Sequence, residues 1–227
     1  MKVLIACEES QRVCKAFLEK GHNAYSNDLV KCSGGLSDRH ILMDARSVIG
    51  GGIMKLQNGK KIEIDKWDLI IAHPPCTYLS NAATRSHSLR MTPINWINGR
   101  MFSRIEAMRL FMDFVNANCD KVAIENPVGV MNTCYRKPDQ IIDPWMFSQG
   151  PEDEEDYVTK KTCFWLKGLP LLVPTYSGEK PNNAEIFGVY KNGKAKCWED
   201  TKVSGSEMRS KTFVGVAKAM AEQWGRI

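Results

Sequence analysis

Short unbroken apolar runs alternate along this chain with stretches whose apolar residues recur every three to four positions. Lys2-Val3-Leu4-Ile5-Ala6 reads as a buried strand. Gln11 to Lys20 carries Val13, Cys14, Phe17 and Leu18 on one helical face, and Gly21 stops it as a C-cap glycine. Asn23 to Ser26, leading to Asp28, and His40 to Met43, leading to Asp44, predict a second and third strand. Trp67 to Ala72 predicts a fourth, ended by His73-Pro74-Pro75. Gly99 to Asn118 predicts a long amphipathic helix, and Lys121 to Ile124 a fifth strand ending at Glu125-Asn126-Pro127. Thr162 to Leu166 predicts a sixth strand and Val214 to Trp224 a last helix. Gly50 to Gly52 and Gln57 to Lys61 read as turns, and Thr175 to Gly205 as loops with one hairpin near Tyr190 to Lys194. The acidic run Glu152 to Asp156 reads as a solvated loop. Strands alternating with helices predict an α/β fold: a mostly parallel sheet with helices on both faces. In such sheets ligands sit at the carboxyl ends of the strands, so the residues there carry the information.

Composition narrows the class. At 227 residues the chain predicts one domain. Hydrophobic residues at 43% and charged residues at 25% match soluble globular proteins, which argues against disorder and coiled coil. No run approaches the roughly 20 apolar residues of a membrane span. Glu8 and Glu9 follow the first strand too soon for a secretory signal, so a cytoplasmic location is expected. The excess of 31 basic over 26 acidic residues permits a polyanionic partner without requiring one. The eight cysteines include no C-x-x-C pair, and the four histidines fall in no zinc-ligand spacing. Reduced cysteines, mostly small buried hydrophobes, and no metal are therefore expected.

Two strand ends carry chemistry. In Pro74-Pro75-Cys76, two prolines fix the backbone and can hold a thiol toward a pocket. A thiolate is a good nucleophile once its pKa of about 8.5 is lowered by a positive neighbour. Taken alone, the tripeptide reads equally as a turn around a buried cysteine. In Ile124-Glu125-Asn126-Pro127, the carboxylate suits a general acid or a clamp on a polar ring edge, though taken alone it reads more readily as a helix or turn cap.

Together these motifs resemble the DNA cytosine-5 methyltransferases, in which a Pro-Pro-Cys turn supplies the nucleophile and a later Glu-Asn tripeptide the glutamate. The closer likeness is to a compact, phage-type group. It covers most of the chain, through Ala6-Cys7-Glu8, Asp68 to Cys76, Ile124 to Met131, Arg136 to Gln140, Thr162 to Leu166 and Thr212 to Gly225. The resemblance implies a Rossmann-like methyltransferase domain over residues 1–227, with a small insertion at 168–208 as a reduced target-recognition element. It implies S-adenosylmethionine as cofactor and DNA as partner, within the host cytoplasm for a phage-encoded protein. Cys76 is expected to add to carbon 6 of cytosine, and Glu125 to hold nitrogen 3 and the exocyclic amine. On a duplex the base must be flipped out. Cys7, Glu8, Asp28, Asp44, Pro74 and Phe213 are the expected cofactor contacts. Pro75, Asn126, Lys161, Thr162, Arg85 and Arg136 are the expected substrate contacts, with His87, Arg90, Arg100, Lys137, Lys191, Lys194 and Lys196 as further basic candidates for DNA.

The first turn departs from the family: Cys7-Glu8-Glu9-Ser10-Gln11 has no glycine. Thr159-Lys160-Lys161-Thr162 stands where the family has an arginine motif. The short recognition element predicts a target of about two to four bases. Two rival readings remain: the same chemistry on free cytosine nucleotides, and a catalytically inactive nucleic-acid-binding module. The zinc deaminase pattern fails for want of a second cysteine near Cys76.

Overall fold

The computed structural model describes residues 1–81, 93–196, 198 and 210–227. Nine strands are described: β1 (Lys2–Ala6), β2 (Asn23–Asp28), β3 (His40–Leu42), β4 (Gly52–Lys55), β5 (Lys61–Ile64), β6 (Leu69–Ala72), β7 (Val122–Pro127), β8 (Gln140–Ile142) and β9 (Thr162–Lys167). The helices are α1 (Arg12–Glu19), α2 (Ile94–Val115), α3 (Met131–Cys134), α4 (Asn183–Phe187) and α5 (Val214–Trp224).

Seven strands form one sheet in the order β3-β2-β1-β6-β7-β9-β8. β3 through β7 in that order are parallel, and β9 alone runs against its neighbours on both sides. The expected mostly parallel α/β sheet is therefore present. The unbroken apolar runs follow from burial on both faces. Side chains alternate across a strand, so Val3, Ile5, Leu69, Ile71 and Ala123 pack on one face with α1 and α5. Leu4, Ala6, Ile70, Ala72, Val122 and Ile124 pack on the other with α2 and the β4–β5 hairpin. The largest aromatics in these layers keep their polar atoms satisfied: the indole N–H groups of Trp67, Trp165 and Trp224 donate to the carbonyls of Val48, Arg136 and Pro170.

Several expectations need correction. The β4–β5 hairpin was expected as turn and loop. Only Met54 and Ile64 face the core strongly, so its apolar alternation is sparse among lysines. β8 is a further strand that a three-residue edge conceals. α2 begins at Ile94 rather than Gly99 and ends at Val115. The acidic run is not wholly solvated: Asp156 is buried, and its carboxylate accepts from the Val214 N–H at 3.1 Å and from the Gly215 N–H. It caps α5 from a distant loop. Of the described cysteines only Cys14, Cys119 and Cys163 are buried, whereas Cys76 and Cys134 are exposed. A hairpin near Tyr190 is present as a single bridge between Val189 and Ala195.

From β1 the chain moves outward to β2 and β3, then re-enters on the other side at β6. That reversal makes the carboxyl ends of β1 and β6 the topological switch point, the place where open α/β sheets bind ligands. No helix among the described residues is long and apolar enough to cross a membrane.

Candidate active site

Parallel pairing decides which strand ends meet. Ala6 pairs with Ala72, and Ala72 with Ile124. The next residues, Cys7, His73 and Glu125, are therefore neighbours across three strands. His73 Nδ1 lies 3.0 Å from Glu125 Oε2. The histidine side chain is nearly enclosed, and Glu125 is mostly so. Burial pushes the Glu125 carboxyl up, but the His73 hydrogen bond and charge, with the Lys160 ammonium, outweigh it and hold the group below its ordinary value. Glu125 is thus kept ionised in a poorly solvated place. Sequence reasoning puts His73 at an informative strand end without giving it a role; the register that sets it beside Glu125 is a property of the folded sheet.

One residue further, the Asn126 amide donates to the Pro74 carbonyl at 2.7 Å. Cys76 lies two residues past Pro74, so this bond ties the thiol-bearing turn to the strand that carries Glu125. The Cys76 carbonyl accepts from the N–H groups of Leu79 and Ser80, closing the turn. A second tie runs from the Val130 N–H to the Leu79 carbonyl at 2.8 Å, beside a bridge between Ser80 and Gly129. Gly129 makes this approach possible, since a Cβ there would sit 2.0 Å from the Leu79 carbonyl oxygen. Cys76 itself is exposed.

The other side of the switch point is acceptor-rich. The turn after β1 takes left-handed backbone at two non-glycine residues, Cys7 and Gln11. These replace the missing glycines, at a cost of about 1–2 kcal/mol each. The Gln11 side chain holds the arrangement by bonding Ser26 Oγ and both polar groups of the Leu36 backbone. Glu8 is buried, and its carboxylate accepts from the Val13 and Cys14 N–H groups at 2.6 and 3.2 Å. Its oxygens are thus engaged in capping α1, which puts its expected cofactor contact second to a structural one. Burial raises its pKa, partly offset by His73.

Asp28 and Asp44 both act on Cys7, whose thiol is pushed up to about 12, first by burial and then by these two carboxylates. The three expected cofactor residues Cys7, Asp28 and Asp44 are therefore brought together. Asp28 Oδ1 accepts from the N–H groups of Leu29 and Val30, and Asp44 Oδ1 from that of Arg46. Four buried polar atoms at these strand ends have no partner among the described residues: Glu9 Oε1, Asn27 Oδ1, His73 Nε2 and Asn126 Oδ1. Such atoms ask for an explanation, and a bound ligand is one.

The remaining expected contacts divide. Lys160, not Lys161, acts on Glu125. Its ammonium lies 5.1 Å over the Trp198 ring and 5.4 Å over the Phe213 ring. Lys161 is exposed, and Thr162 is buried with its hydroxyl on the Lys160 carbonyl. Phe213 belongs to the core while serving as part of this platform. Arg136 is committed to Asp139 at 2.7 Å and to the Tyr135 ring, which makes it a brace of β8 and β9 rather than an open contact. Arg100 lies over the Tyr78 ring at 5.1 Å. Arg85, His87 and Arg90 lie outside the described residues. No group of metal-ligating side chains occurs among the described residues.

Neither a known protein family nor a characterised protein matches this chain in sequence.

Proposed function

We propose that this protein is a Rossmann-like methyltransferase that modifies carbon 5 of cytosine in DNA, with Cys76 as nucleophile. The observation that carries the reading is the Asn126–Pro74 clamp beside the His73–Glu125 pair. It ties the turn that carries the exposed Cys76 to the strand that carries an ionised, mostly enclosed carboxylate. The parallel part of the sheet, with its reversal after β1, supports a nucleotide-type site.

The Cys76 thiolate adds to carbon 6 of the ring, and the electron pair is displaced toward nitrogen 3. Glu125 accepts from the exocyclic amine and stabilises a proton at nitrogen 3, which draws that pair and leaves carbon 5 nucleophilic. After the methyl group joins carbon 5, water takes the carbon-5 proton, the C5–C6 double bond re-forms and the C6–S bond breaks, which releases the Cys76 thiolate. The Lys160 ammonium adds positive charge on the same side as Glu125.

The groups beside Cys7 suit S-adenosylmethionine by their chemistry. Asp28, Asp44 and Glu9 give the site a negative field suited to a sulfonium, and the unpartnered Asn27 and Glu9 oxygens await donors. When bound, that cofactor supplies an electrophilic methyl group. DNA as partner is favoured by the first turns of α2 beside the Cys76 turn. There Trp96 and Phe102 are exposed near Arg100 and Arg104, the aromatic and basic mixture on which unstacked bases bind.

The test is nucleoside mass spectrometry on mixed-sequence duplex DNA incubated with the protein and S-adenosylmethionine. New 5-methyldeoxycytidine that disappears with Cys76→Ala supports the reading. No methylated base on duplex, single-stranded DNA or free deoxycytidine nucleotides overturns it.

A further inference from the structure

His73 has no part in the chemistry above, yet its placement is unusual. It sits between two carboxylates from different elements: Glu125 on β7, bonded to Nδ1, and Glu8 in the turn after β1, which acts on it through charge. Its Nε2 is buried and unpartnered among the described residues. Glu125, meanwhile, is held ionised by His73 and Lys160 and has no proton of its own to give. A cytosine whose carbon 6 is attacked needs a proton at nitrogen 3, and a carboxylate alone cannot supply one. The imidazole 3.0 Å away is placed to carry a proton to Glu125.

We propose that His73 is the positioning residue of Glu125 and the store of the proton that passes through it to the target ring. This inference rests on the cytosine reading of the site. In the resting pair, imidazolium faces carboxylate. As Cys76 adds to carbon 6, the Nδ1–H bond breaks and a proton reaches Glu125. Glu125 delivers a proton to nitrogen 3 and is left a carboxylate beside neutral imidazole. Expulsion of Cys76 returns the nitrogen-3 proton along the same path, so the pair ends as it began, and the carbon-5 proton that the methyl group replaces leaves to solvent water. The groups facing the pair are Glu8 from the β1 turn, Lys160 ahead of β9, and Cys163 on β9, which feels the Glu125 charge.

The experiment has two arms on the full-length protein. In the first, carboxyl carbon NMR follows Glu125, assigned by the signal lost in Glu125→Gln. The Glu125 titration moves to higher pH in His73→Ala, and by less in His73→Asn, which keeps a donor but no exchangeable charge. In the second, single-turnover methylation is measured against pH. His73→Ala lowers the rate on the order of 100-fold and removes one limb of the profile. His73→Asn restores substrate KM but not the rate, which a merely structural role would not produce. An unmoved Glu125 titration, or a full rate in His73→Ala with an active parent protein, overturns the His73 assignment alone. A parent protein that makes no 5-methyldeoxycytidine overturns the cytosine reading and the proton path with it. His73→Asn keeps the test meaningful should the alanine variant fail to fold.

Discussion

Asp156 offers a quantitative test of how the last helix is held. Its carboxylate accepts from the first N–H groups of α5, an arrangement that favours the charged form. Burial opposes this, helped by Asp153 and Glu155 in the same loop, and the balance lifts the pKa from 3.8 to about 6. A raised native pKa means the folded protein binds the proton more tightly than the unfolded chain. The associated stability is present below about pH 4 and is lost as pH rises through about 6. The whole difference of about 2.2 units corresponds to about 3 kcal/mol, of which about 2 kcal/mol falls between about pH 4.5 and 7. Urea unfolding of the parent protein and of Asp156→Asn across that range isolates the effect, because other titrations cancel in the difference between them. The asparagine variant loses part of the cap, about 1 kcal/mol. Relative to the parent it gains about 2 kcal/mol on going from the acid to the neutral end. A difference that is flat, or that moves the other way, would refute the reasoning and mean that the two N–H bonds outweigh burial.

Other outcomes follow from the same geometry. Gly129→Ala pushes the 128–130 segment off the Leu79 carbonyl, costs about 1–3 kcal/mol by overpacking, and lowers methylation more than it lowers cofactor affinity measured by calorimetry. Gly34→Ala, whose Cβ would sit 2.5 Å from the Ser10 carbonyl oxygen, disturbs the turn after β1 and weakens cofactor binding instead. Limited alkylation at pH 7 followed by peptide mass spectrometry labels Cys76 well before Cys7, because Cys76 is exposed whereas Cys7 is half-buried with its thiol held near 12; equal labelling would contradict that placement. Trp96→Ala with Phe102→Ala reduces DNA affinity in a fluorescence titration about 10-fold or more without altering the salt dependence, since stacking rather than phosphate contact is removed.

The strands on which the site stands are legible in the sequence because burial on both faces makes them unbroken apolar runs. Cys76 and Glu125 are legible as strand-end residues for the same reason. His73 has no role legible in the sequence because its partner is 52 residues away, and only the pairing of Ala72 with Ile124 brings the two together. Asp156 was hidden among four other acids, with nothing in the run to say which one turns inward. Gln11 and Cys7 hold backbone conformations that sequence associates with glycine, and what permits this is the Gln11 amide reaching Ser26 and Leu36. That Lys160 acts on Glu125 was not legible in the Lys160-Lys161 pair, because only the folded strand end shows which ammonium approaches the carboxylate.

The clamp between Asn126 and Pro74 also has a kinetic meaning. During synthesis, a ribosome-bound chain that ends before residue 122 already carries β1, β2 and β6, with the thiol at their edge. It has neither the carboxylate nor the amide that holds the proline turn. Both bonds span 52 residues and wait on β7. On the proposed reading, the thiol-bearing turn is therefore made before the carboxylate and the amide that complete the site.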